Sequence, residues 1–148
     1  YARSTYPLLR LNPSSILFRK AEVLEKAGLW DCSRTGSDSE FLARLKAVFG
    51  RGRVRMVGAP LAFGAHRSDS LMTASSTGMG TGAMHPDRLA YWQAWSGWHI
   101  DALASGEALR MPTLSAERPF QVPGALRNAP ETIDTCLAWW QRNSDLTE

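Results

Sequence analysis

Apolar and polar residues alternate between two periodicities along this chain. In Ser37–Phe49, Phe41, Leu42, Leu45, Val48 and Phe49 recur at helical spacing, and Gly50 follows as a stop. Ser37 and Glu40 have the S-x-x-E spacing of a capping box, so the pattern predicts a helix over 37–49 with Asp38 in its first turn. Val23 and Leu24 mark the inner side of a short helix over 19–27 that Gly28 ends. Ser14–Phe18 and Val54–Val57 read as strands, and Pro60–Phe63 as a further extended piece. Pro86 opens a long helix to about 104 with an aromatic stripe of Leu89, Trp92, Trp95, Trp98 or His99, and Leu103. Residues 105–128 contain Pro112, Pro119 and Pro123 with little periodicity and predict an extended connection. A last helix over 130–142 would bury Ile133, Leu137 and Trp140. The order strand, helix, helix, strand predicts an α/β layer carrying a C-terminal helical appendage. The divisions expected are 1–67, a Gly/Ser/Thr-rich loop at 68–85, and a helical region at 86–148.

The totals exclude more than they assign. At 148 residues the chain suffices for one domain with a core, and 44% hydrophobic against 21% charged residues is ordinary for a globular protein. The formal net charge is +3, and the 17 basic residues are scattered. Nucleic acid is therefore not an expected partner. Arg51, Arg53 and Arg55 alternate, which on a strand gives a solvated basic face or a positive rim near a phosphate-bearing substrate. Cys32 and Cys136 form no framework and suggest reduced thiols in a cytosolic setting. No apolar run approaches the roughly 20 residues of a spanning helix. The chain opens on Tyr1 without a Met, which suggests a piece of a longer protein.

The candidate chemistry is sparse. His66, His85 and His99 share no metal-ligand spacing. Gly78, Gly80 and Gly82 fit neither G-x-G-x-x-G nor a P-loop, and read as a surface loop that could close over a substrate. Asp38 and Glu40 flank one residue, a spacing at which two carboxylates can hold Mg²⁺ or Mn²⁺ against a diphosphate. The competing explanation is that both are good first-turn residues.

In Asn12–Lys20, then Gly28-Leu-Trp-Asp31, then Gly36–Leu45, the chain resembles the C-terminal half of family-2 glycosyltransferases, inverting enzymes of the GT-A fold. Val57–Leu61 and His66–Thr73 look like the strand and loop that follow. Arg88, Tyr91, Trp98 and His99 are similar to the helix beyond, above all in members tied to bacterial surface polysaccharides. The likeness covers about residues 8–104. It implies a partial GT-A-like mixed sheet with flanking helices, transferring a sugar from a nucleotide-sugar donor to a hydroxyl of a carbohydrate acceptor. Asp38 matches the catalytic base, and Ser37 stands where the family has the first acid of its pair. Glu40 and Arg44 match positions lining the acceptor site, with a structural Arg–carboxylate contact as the alternative, and Trp98 is an acceptor-binding candidate. His66 falls where some relatives place a metal ligand for Mg²⁺ or Mn²⁺. The D-x-D motif and nucleotide-binding unit belong to the family's N-terminal half, so that donor-binding half becomes an implied partner and the fragment alone is implied to be inactive. A sheet cut in half leaves an edge that homo-oligomerisation could cover. The implied location is cytoplasmic, or at the inner face of the membrane. A rival reading keeps the scaffold as a non-catalytic carbohydrate- or protein-binding domain with Trp92, Trp95 and Trp98 as its contact surface.

Overall fold

Residues 16–55, 57, 85–112 and 118–143 are described by the computed structural model, the side chain of Trp140 excepted. Among the described residues four α-helices follow one another: α1 (Lys20–Lys26), α2 (Ser37–Phe49), α3 (Pro86–Ser105) and α4 (Pro130–Asn143). Single 3-10 turns occupy Arg51–Arg53 and Gly124–Leu126.

The sequence predicts the helices closely and the sheet wrongly. Among the described residues there is no sheet; two isolated bridges, Gly28 with Met111 (parallel) and Ser33 with Arg127 (antiparallel), are all that pairs. The α/β layer with its partial GT-A-like mixed sheet is therefore corrected to a helical arrangement. Residues 16–19 are irregular, and the Arg51–Arg53 part of the supposed basic strand is a 3-10 turn with its arginines exposed. The physical reason is that alternation permits an extended backbone but does not supply the neighbour its N–H and C=O groups need. Pro60–Phe63, the 68–84 loop with its glycines, and the segment before residue 16 lie outside the described residues.

The capping box is also displaced. Gly36, in the left-handed region at φ 87°, is the N-cap of α2, which puts Ser37 one position inside the helix. Glu40 then sits a turn in and faces the interior instead of reaching back to the cap. A side chain at Gly36 would come within 3.2 Å of the Tyr91 ring. At α3 the start is as predicted: Pro86 is in the first turn, and His85 Nδ1 accepts from the Asp87 N–H at 3.3 Å.

Two apolar clusters hold the helices. Val23, Ala27, Phe41 and Leu45 join α1 to α2, with Trp30 stacked on Phe41 at 4.3 Å between ring centroids. Tyr91, Trp95, Met111, Phe120, Val122 and Leu126 form the second, between α3 and the 109–126 connection. The buried stripe of α3 is Tyr91, Trp95, His99 and Ala102, whereas Leu103 is exposed. The predicted stripe was rotated because Trp92 and Leu103 are as apolar as the residues that won the interior. The connection at 105–128, predicted as a mere link, supplies Leu109, Met111, Phe120, Val122 and Leu126 to the core.

Candidate functional site

The site forms where the loop 28–36 turns into α2 against the first half of α3. Its foundation is a buried carboxylate. Glu40 and Arg44 are both fully buried, one helical turn apart on α2. Glu40 accepts from Arg44 Nε at 2.8 Å through one oxygen and from Arg44 Nη2 at 2.9 Å through the other, a bidentate pair. The remaining guanidinium hydrogens reach the end of α1: Nη1 donates to the Ala27 carbonyl and Nη2 to that of Leu29, the latter at 2.8 Å. His99 on α3 closes the set, its Nε2 lying 3.0 Å from Glu40 Oε1. One cation thus fastens α2 to α1, and its carboxylate fastens α2 to α3.

A second carboxylate braces the loop. Asp31 is 6% exposed and holds two partners, Tyr91 Oη donating to Oδ2 at 2.7 Å and Arg118 Nε donating to Oδ1 at 2.6 Å. Burial pushes the Tyr91 phenol up, and the Asp31 charge adds to it. Tyr91 and His99 are eight residues apart, about two turns of α3, so both carboxylates grip the same side of that helix. Two backbone ties and one side-chain tie complete the brace: the Met111 N–H donates to the Ala27 carbonyl at 3.0 Å, the Arg34 N–H to that of Leu126 at 2.9 Å, and the Asn128 side-chain Nδ2 to that of Cys32 at 2.7 Å. Gly28, at φ 76°, passes so close to Met111 that a Cβ would stand 2.0 Å from its carbonyl oxygen.

Above this base, Asp38 is half-buried in the first turn of α2 and accepts from the Ser39 N–H at 2.9 Å. Arg88, in the first turn of α3, is near enough for its charge to interact with that of Asp38. Burial pushes the Arg88 guanidinium down from its ordinary value, and the Asp38 carboxylate opposes that shift. A partly open acid next to a partly desolvated cation can accept a proton from a hydroxyl and hold an anionic group in one place.

The predicted site residues therefore divide. Ser37 and Asp38 lie together at the half-buried start of α2. Glu40 and Arg44 lie beneath them and bind each other, the structural alternative foreseen for that pair. Consequently Asp38 and Glu40 do not converge on a cation, since the Glu40 oxygens are committed to Arg44 and His99. Among the described residues no three His, Cys, Asp or Glu side chains gather as a metal site; His66 is outside them. Trp98 stacks on Phe120 at 5.4 Å and meets the His99 ring edge-on at 5.0 Å. It stands ten residues beyond Arg88, about 15 Å along α3, so it is not brought to Asp38. Sequence reasoning missed Arg118, whose partner Asp31 is 87 positions earlier; no local spacing signals such a pair. Among the described residues no helix is long and apolar enough to cross a membrane.

Comparison of the chain with protein-family profiles, with curated proteins and with solved structures finds no match.

Proposed function

We propose that this chain is the acceptor-side, base-bearing part of an inverting glycosyltransferase that works with a nucleotide-sugar donor. The observation that carries the reading is the contrast between the two acids at the start of α2. Glu40 is wholly consumed by the scaffold, whereas Asp38, two residues before it, is half-buried, accepts from the Ser39 N–H and has the Arg88 charge near it. In this reading Asp38 removes the proton of an acceptor hydroxyl as that oxygen attacks the anomeric carbon. The bond from that carbon to the diphosphate breaks, its electron pair leaves with the nucleoside diphosphate, and attack from the opposite face inverts the centre. Ser37 stands at the acceptor side of the base, and Arg88 supplies a fixed positive charge beside it. The segment resemblance from Asn12 to Leu45 supports the same assignment. The donor sugar, with Mg²⁺ or Mn²⁺ on its diphosphate, would be held by a separate donor-binding half. A cytoplasmic location fits such donors, and the free thiols Cys32 and Cys136 agree with it.

The test is Asp38→Asn in the protein together with its donor-binding half. General-base catalysis of this kind contributes roughly 10²–10⁴-fold. Sugar transfer should fall by that order while acceptor binding, followed by isothermal titration, is retained. Unchanged transfer would remove Asp38 from the chemistry and favour the non-catalytic binding domain.

A further inference from the structure

Residues 16–19, α1, α2 and the 51–55 segment enclose a groove of about 1150 Å³. Its floor is apolar, built from Val23, Leu42, Leu45, Val48 and Phe49, and Leu17 projects beside it at 98% exposure. Its rim is cationic. Arg19, Lys46, Arg51, Arg53 and Arg55 line it, and among the described residues none of these pairs with a carboxylate; Glu22, the acid present, is held by Lys26 at 3.5 Å. A concave apolar channel of this size with a positive lip suits an inserted amphipathic segment of acidic character. A flat bilayer would meet the lip and leave the floor uncovered.

The chain carries such a segment. α4 runs for 14 residues, about 21 Å, and its described side chains are exposed except for the half-buried Ile133, Leu137 and Asn143. Trp139 is 60% exposed. Glu131 and Asp134 flank Ile133, and residues 130–148 contain four acids, Glu131, Asp134, Asp145 and Glu148, against the single base Arg142.

We propose that the groove receives α4 of a second copy of this chain, each copy inserting its α4 into the other's groove. Reciprocal insertion uses the same pair of surfaces twice and closes as a two-fold dimer. The opposite charges give the pairing its orientation and its salt dependence.

The experiment is sedimentation velocity of the full chain over roughly 1 to 100 µM, where a dimer of moderate affinity populates both states. The wild type should pass from monomer to dimer, and added salt should weaken the dimer. Arg51→Glu/Arg53→Glu/Arg55→Glu and, separately, Glu131→Lys/Asp134→Lys should each lower association by at least tenfold. All five positions are exposed surface, and circular dichroism checks that helix content is kept. Mixing the two reversed variants should restore a heterodimer, because each groove then meets an α4 of opposite sign. A monomer throughout the range overturns the proposal. So does association that survives either reversal, or a mixture that fails to recover. Binding of the monomer to phosphatidylserine vesicles without self-association would assign the groove to a membrane surface instead.

Discussion

Replacing Glu40 by alanine tests the scaffold at its centre. The change removes both oxygens that receive Arg44 and the one that meets His99, and leaves a fully buried guanidinium with only the carbonyls of Ala27 and Leu29 as acceptors. Breaking a buried pair from one side costs about 3–5 kcal/mol, because the abandoned charge stays desolvated. Alanine's better helix propensity offsets at most about 0.7 kcal/mol of that. Against a total stability of about 5–15 kcal/mol, the loss is a large share. It corresponds to a melting point lowered by about 6–20 °C at this chain length. Urea unfolding followed by tryptophan fluorescence reads it, since Trp95 and Trp98 both pack on His99. Glu40→Gln keeps the shape and loses the charge, and should cost about 1.5–3 kcal/mol, between wild type and alanine. Destabilisation below about 1 kcal/mol for Glu40→Ala, with an unchanged denaturant slope, would refute the scaffold argument.

Three further outcomes concern the backbone and the Asp31 brace. Gly28→Ala should destabilise by more than about 2 kcal/mol, because a left-handed residue is strained and its Cβ meets the Met111 carbonyl at 2.0 Å. Gly50→Ala, at φ 83° and ψ 147° in a region all but reserved for glycine but in open space, should show the backbone cost alone, about 1–3 kcal/mol, in the same unfolding experiment. Burial, then Asp31, raises the Tyr91 phenol, so the folded state keeps its proton where the unfolded chain loses it. The stability from that neutral phenol is complete below about pH 10 and is lost as pH rises further. Tyr91→Phe should flatten this alkaline limb in a pH series of thermal melts, while lowering stability at neutral pH by about 1–3 kcal/mol through the exposed acceptor on Asp31.

The helices were legible because their signals are local. Pro86 at the start of α3, and Gly50 just past α2, fix ends within a turn of where the structure has them. The sheet was misjudged because Val54–Val57 has strand-like alternation, and alternation says nothing about a pairing partner. Ser37 and Glu40 satisfy a capping spacing by letter, yet Gly36 takes the cap and shifts the register by one. Freed from the cap, Glu40 turns inward to Arg44 and His99. Asp31, Tyr91 and Arg118 were beyond reach for a different reason: their union depends on packing across 60 to 87 positions, which no periodicity encodes.

The stitching of loop 28–36 to Met111 and to residues 126–128 bears on how the molecule is made. The turn that launches α2 is fastened by backbone partners that emerge from the ribosome some eighty to a hundred residues later. Helices can flicker into existence as synthesis proceeds, but the orientation of Asp38 is settled only after the segment through Leu126 has arrived. Long-separation closures of this sort slow folding and leave the early half exposed meanwhile. A nascent chain stalled after α3 would therefore hold the residues of the proposed base without the posture that makes it one.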